Sequence, residues 1–367
     1  MESLFDNERN FVMETMEVDT TAVEAFVMRA LDDIAAGYLG VMVSIGTRLG
    51  LYQSLAGAGP LSSQELADRA GCAERYVRDW LHSQAAAGYL TYHATSGTFE
   101  LPVEHAIVLA DDSSAVYLPP AWNVPAAMWA GESKALHAFR TGEGVAWGDH
   151  DPRLAHGTAA FYRNGYRASL VSEWLPALDG VVPALERGIT VADIGAGHGY
   201  STVLMAEAFP NSRFLGVDAH APSIAEARRN ALEAGVEERV SFEHVRATEY
   251  SPGGYGLICF FDSLHDMGDP VAALRHAAEA LDPDGTLLLV EPHAADRVED
   301  NLTTVGQLYY SASSMICTAH AIAEGGEAVL GAQAGFARTR DVLHRAGFSR
   351  VRVAAETPFN FIIEARQ

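Results

Sequence analysis

Three glycines and a carboxylate are packed into Val191-Ala192-Asp193-Ile194-Gly195-Ala196-Gly197-His198-Gly199-Tyr200. Glycines let the main chain approach a ligand closely, and a helix starting just after them presents unpaired N–H groups. The spacing is Gly-x-Gly-x-Gly, not the Gly-x-Gly-x-x-Gly that seats a pyrophosphate. Asp193 would repel a phosphate, but it can hold a ligand ammonium directly or through water. Asp218, with Ala219 beside it, ends the next predicted strand, where a carboxylate can take the two hydroxyls of a ribose. A ligand carrying ribose and ammonium but no phosphate fits S-adenosylmethionine.

A second cluster follows the apolar run 257–261: Asp262-Ser263-Leu264-His265-Asp266-Met267-Gly268-Asp269-Pro270. Ligands of open α/β sheets bind beyond the carboxyl ends of the strands, so this segment is expected to face the reaction centre, with Asp262 against the cofactor. Methyl transfer from a sulfonium is an in-line displacement whose thioether leaves without help from an acid. An oxygen or nitrogen acceptor can instead need to lose a proton, and an imidazole, with a usual pKa of ~6.5, suits that task. Asp269-Pro270 is an ordinary helix start, an N-cap with proline in the first turn. Proximity alone, without a base, is a competing way to run the transfer.

The elements that must position these residues are legible in the periodicity. From residue 189 onward apolar strands alternate with helices, as in parallel sheets. Strands are expected at 190–194, 213–217, 240–244, 257–261, 286–291, 351–354 and 359–365, and helices at 201–208, 222–234, 270–281 and 338–346. The last two strands are close enough in sequence to form an antiparallel hairpin on an otherwise parallel sheet. A mainly helical insertion occupies 296–335, and a longer helix, 157–178, leads into this half. The fold expected is therefore α/β, a seven-stranded Rossmann-like sheet with an antiparallel terminal hairpin. Upstream, helical spacing from 22 to 55 predicts two helices with a break at 37–40. Ser62 or Ser63 caps a helix that Gly71 ends, a second runs over 73–87 to Gly88, and a short hairpin pairs 89–92 with 98–101. Helix, turn, helix, hairpin is the order of a winged helix. The domains expected are an arm at 1–20, a winged-helix domain at 21–110, a connecting and substrate-wall region at 111–156, and the cofactor-binding domain at 157–367, with 296–335 as a lid.

Asp193-Ile194-Gly195-Ala196-Gly197-His198-Gly199 with Asp218 resembles the cofactor signature of class I methyltransferases. Leu264-His265-Asp266 resembles the His-Asp motif of plant-type O-methyltransferases, which also join a winged-helix-like domain to this catalytic fold. That resemblance implies His265 as general base, Asp266 beside it, and Glu291, at the end of the fifth strand, orienting the imidazole. The aromatic residue that follows the pair in the plant motif is Met267 here. The acid usual in the adenine site is absent from Val245-Arg246-Ala247-Thr248, which leaves adenine to the Ala247 and Thr248 backbone or the Thr248 hydroxyl. In related folds the helix bearing Phe161-Tyr162-Arg163-Asn164-Gly165-Tyr166-Arg167 lies over the methionine end of the cofactor. Arg163 or Arg167 could then pair with the carboxylate, and Tyr162 or Tyr166 could close over the sulfonium or face the acceptor. Over its whole length the chain is similar to actinobacterial-type winged-helix methyltransferases of small molecules, which implies a place in secondary metabolism. Tyr309, Tyr310 and Met315 are expected in a substrate lid, and Trp122, Trp129 and Trp147 are candidates for an aromatic wall.

Composition narrows the alternatives. A formal net charge of −23 over 367 residues repels phosphate backbones and anionic lipid. The predicted recognition helix sets Arg75 and Arg78 against Glu74 and Asp79, not the basic stripe of a DNA reader. Dimerisation and walling of the active site are the roles expected of its domain. No nucleic-acid or membrane partner is expected, but a small-molecule substrate and a homodimer are. The longest apolar stretch, around 38–45, is far short of the ~20 residues of a membrane span, and the acidic N-terminus lacks a secretory pattern. Cys72, Cys259 and Cys317 are too few and too scattered for a disulfide framework or a Cys-rich zinc site, and the setting expected is the reducing cytoplasm. His150, Asp151 and His156 match no helical ligand pair and sit in turn chemistry, so no metal is expected. Competing functions are a winged-helix regulator using the second domain as a ligand sensor, a cofactor fold that does not methylate, and an N- or C-methyltransferase.

Overall fold

The computed structural model describes residues 18–326 and 328–367; most of the expected arm at 1–20 lies outside them. The chain divides into two compact units, with the boundary between Pro102 and Val103.

In the first unit, helix α1 (Thr20–Arg48) is continuous, so the expected break at 37–40 is not there. The break comes instead at Gly50, in the left-handed region at φ 67°, before α2 (Leu51–Leu55). A single glycine in a helix costs only about 1 kcal/mol, and nothing at Gly37 forces a turn. Helix α3 (Ser63–Ala70) opens on a capping box in which Ser62 and Glu65 satisfy each other's backbone N–H. It is followed by α4 (Glu74–Ala86), and the wing is the antiparallel pair β1 (Thr91–His93) and β2 (Thr98–Glu100). Trp80 locks the unit, since its indole donates to the Met42 carbonyl at 2.8 Å and its ring fills the space a side chain at Gly46 would need.

The second unit is a seven-stranded sheet in the order β5-β4-β3-β6-β7-β9-β8. Its strands are β3 (Thr190–Ile194), β4 (Arg213–Asp218), β5 (Val240–His244), β6 (Tyr255–Phe261), β7 (Leu281–Pro292), β8 (Arg350–Glu356) and β9 (Asn360–Arg366). Strands β3 to β7 pair in parallel, and β9 runs antiparallel to both β7 and β8. Alternation sends Leu257, Cys259 and Phe261 to one core and Ile258 and Phe260 to the other. Both faces of β6 are buried, which is why 257–261 reads as an unbroken apolar run. Cys259 is fully buried.

The helix leading into the sheet starts earlier than expected, at Arg153–Ser169, and passes into a wide π-type turn, Leu170–Trp174. Residues 103–156 form helices and short turns of the second unit, among them Asn123–Ala130 and Glu132–Thr141. The insertion after β7 is helical, with Thr304–Ala312, the π-type turn Ser313–Cys317 and Thr318–Ala323.

Candidate active site

The loop after β3 is built from left-handed glycines: φ is 76° at Gly195, 53° at Gly197 and 73° at Gly199. Two of them are needed for packing. A Cβ on Gly195 would lie 2.4 Å from Ser263, and one on Gly199 would lie 2.6 Å from the Phe242 ring. Gly197 is different, because a Cβ there would meet nothing within 4 Å. Its N–H donates to Asp218 Oδ2 at 2.9 Å, while Asp218 Oδ1 accepts from the His220 N–H at 2.7 Å. These bonds fix the carboxylate at the rim of a cavity of about 700 Å³. Gly195, Gly197, Asp218, Ala219, Ala247, Thr248, Asp262 and Asp266 share its wall with Tyr162 and Tyr166.

Asp193 lies elsewhere. It is fully buried beneath the loop and outside the cavity wall. Its Oδ2 accepts from Ser201 and Thr202, both at 2.6 Å, tying β3 to the first turn of the next helix. Oδ1 has no partner, and burial pushes the carboxyl up to about 6. Direct contact with an ammonium in the cavity is therefore corrected to a role beneath the loop, with one free oxygen.

Asp262 is the one non-glycine residue with positive φ, 49°, among the described residues. Such backbone strain is tolerated where a side chain must be aimed. Oδ1 accepts from Asn360 at 2.6 Å and Oδ2 is buried without a partner. Burial, reinforced by Glu291, holds this carboxyl well above its usual range.

His265 is 5% exposed. Its Nδ1–H donates to Glu291 Oε2 at 2.6 Å, and Glu291 Oε1 accepts the Leu264 N–H at 3.1 Å. A carboxylate at the end of β7 thus fixes both the tautomer and the orientation of an imidazole at the end of β6. Asp266 Oδ1 is 3.2 Å from the other ring nitrogen, Nε2. Burial alone would push the imidazole down, but Asp266 and Glu291 override it and hold the ring well above its usual 6.5. His265 itself does not line the large cavity; Asp266 and Met267 do.

The helix Arg153–Ser169 contributes stacked Tyr162 and Tyr166, with centroids 6.0 Å apart. Arg163 lies over the ring of Tyr200, a residue of the cavity wall, at 5.6 Å, and Arg167 is exposed; neither arginine is itself part of that wall. In the insertion, Tyr309 is buried. Tyr310 is 38% exposed and Met315 lines a separate small pocket, so neither reaches the large cavity. Trp147 does reach it, and Trp129 is largely exposed.

Asp151 is taken by Arg153, and the His156 ring packs against His198. Among the described residues the metal-ligating atoms that converge belong to His265, Asp266 and Cys317. Sequence reading missed Cys317, as well as His220, His244 and His320 in the cavity wall. No motif spacing marks residues that meet only through the fold.

The sheet order, the glycine turn and the carboxylate beyond β4 define a methyltransferase-type domain, and known proteins agree. Residues 185–344 match the model of a methyltransferase domain, and residues 37–111 match that of an Rv2258c-like winged HTH domain. The two matches follow one another along this chain, a winged-HTH segment and then a methyltransferase segment. It is 33% identical over 114 residues to the 27-O-demethylrifamycin SV methyltransferase of Amycolatopsis mediterranei, a stretch covering 30% of this chain and 41% of that one. The match therefore spans less than half of that relative's length. The mitomycin 7-O-methyltransferase structure shares the fold at a TM-score of 0.67 and 23% identity, over 95% of this chain and 100% of that chain. An O-methyltransferase from neocarzinostatin biosynthesis, solved with S-adenosylmethionine and 2-hydroxy-5-methyl naphthoic acid, does so at 0.62 and 20%, over 92% and 98%.

Proposed function

We propose that this chain transfers a methyl group from S-adenosylmethionine to a hydroxyl of a small, hydroxylated or aromatic metabolite, in the cytoplasm. The observation that carries the reading is the Gly197 turn opening on the cavity beside Asp218. An unfilled Cβ direction at a left-handed glycine, next to a carboxylate held by two backbone N–H groups, suits the ribose of an adenosyl ligand. Ala247 and Thr248 on the same wall suit its adenine, and the faces of Tyr162 and Tyr166 attract a sulfonium. The bound cofactor would supply an electrophilic methyl on a good leaving group.

His265 then takes the acceptor proton at Nε2, while Glu291 keeps Nδ1 protonated and stabilises the imidazolium. A second reading draws on the position of the ring behind Asp266: the acceptor is methylated by proximity alone, on oxygen, nitrogen or carbon. Self-association through the N-terminal domain, with a second copy, is supported by the apolar stripe of α1. Val27, Leu31, Ile34, Tyr38, Val41 and Ile45 recur at alternating spacings of three and four residues and are all exposed.

Titration calorimetry tests the cofactor reading. S-adenosylmethionine and S-adenosylhomocysteine should both give binding heat, weakened ~10-fold or more in Asp218→Ala, which loses a charged hydrogen-bond acceptor. No heat with either compound would remove the whole assignment. Release of S-adenosylhomocysteine with a hydroxylated aromatic acceptor then tests turnover.

A further inference from the structure

Cys317 takes no part in the chemistry above, yet the fold brings it to the imidazole. It ends the π-type turn Ser313–Cys317, a helix defect that recurs at functional sites. Its sulfur and the ligating atoms of His265 and Asp266 all lie within 4.8 Å of one another. His265 Nε2 and Asp266 Oδ1 are 3.2 Å apart, but Oδ1 accepts no hydrogen bond. Two atoms close in distance and wrong in donor direction fit a shared small cation better than a shared proton. Zinc–nitrogen and zinc–oxygen bonds of ~2.0–2.1 Å at a tetrahedral angle would set such ligands roughly 3.3 Å apart. Behind the ring, Glu291 Oε2 takes Nδ1–H at 2.6 Å, the carboxylate–histidine arrangement that leaves Nε2 to a metal.

We infer that His265, Asp266 and Cys317 form a zinc(II) site, and that its occupation silences the base. The second half rests on the general-base reading; the first does not. A mixed imidazole, thiolate and carboxylate set suits zinc, whereas magnesium and calcium prefer oxygen alone. As the sulfur–zinc bond forms, Cys317 releases its proton to solvent, and Nε2 and the Asp266 carboxylate each donate an electron pair. No oxidation or reduction is involved. Thiolate and carboxylate together neutralise the ion. Because the thiol must lose its proton on binding, zinc affinity should rise with pH. Asp266 belongs to the wall of the large cavity, which gives an ion a path from solvent. With Nε2 committed to zinc, no lone pair is left to accept a proton.

The full-length, chelator-treated protein is titrated with Co2+ under reducing conditions. One equivalent should raise a thiolate-to-cobalt charge-transfer band, and Zn2+ should bleach it. Cys317→Ser should abolish the band, Cys72→Ser should keep it, and Glu291→Gln should weaken cobalt binding ~10–100-fold. Asp266→Asn, at a partly exposed position, should weaken it too with an unchanged circular dichroism spectrum. Absence of the band, or its survival in Cys317→Ser, overturns the site. In a separate arm, one equivalent of zinc should depress methyl transfer and chelator should restore it; a bleachable band with undiminished turnover overturns the silencing. The band needs no acceptor and no turnover, so failure of the methyltransferase reading would leave it in place.

Discussion

At the scale of single residues, the Glu291–His265 pair is where chemistry and geometry meet. His265→Ala should cut turnover ~10²-fold or more while cofactor affinity stays nearly intact, measured as kcat beside calorimetry. Unchanged turnover would favour proximity. The pH profile gives a sharper check. Two carboxylates hold the imidazole well above its usual 6.5, so the ring is protonated below that raised value and able to accept a proton only above it. The kcat/KM should therefore climb with pH through a limb above the ordinary imidazole range. Glu291→Gln removes one of the two negative charges, and the limb should move to lower pH. A limb that stays in place would mean that another group controls the rate. Residue types and their spacing singled out Gly197, Asp218 and His265 in the sequence, and the resemblance to plant-type O-methyltransferases pointed to Glu291. The hydroxyl partners of Asp193, Ser201 and Thr202, were not legible, because they become partners only once the next helix has started.

At the scale of elements, the glycine turn lets packing be told apart from the proposed binding. Gly199→Ala must displace the Phe242 ring, since the new Cβ would lie 2.6 Å from it. Overpacking of that kind costs about 1–3 kcal/mol, and the melting temperature should fall by several degrees. Gly197→Ala meets no atom and bears only the left-handed strain of about 1–2 kcal/mol. It should lose cofactor affinity by ~10-fold or more with the smaller change in melting temperature. Equal thermal losses and intact affinity in both would contradict the cradle. The central strands were readable because strands covered on both faces are apolar throughout, and the edge strands β5 and β8 because polar and apolar residues alternate along them. Helix α1 was misread because a glycine weakens a helix without ending it unless the backbone also turns, as it does at Gly50.

For the molecule as a whole, charge and exposed surface set the expectations. The stripe from Val27 to Ile45 leaves apolar side chains in water on a chain whose net charge is −23. Leu31→Glu with Ile34→Glu should convert a dimer into monomers by light scattering. A wild-type protein that is already monomeric would dispose of this role for α1. The same charge, and the pairing of Arg78 with Glu74 at 2.7 Å and of Arg75 with Asp79, leave α4 without a basic face. No salt-dependent DNA retention should be seen.

Sequence alone settled the order of the strands, the terminal hairpin, the winged-helix order and the place of the glycine turn after the first strand of the sheet. Each depends on local periodicity or on residue types a few positions apart, so each is written in consecutive residues. Tertiary structure alone decided which side of the loop Asp193 serves, that Arg163 lies over Tyr200 while Arg167 is exposed, and that Cys317 meets His265. Those are contacts between segments brought together by packing a sheet between two layers of helices, and no spacing along the chain encodes them.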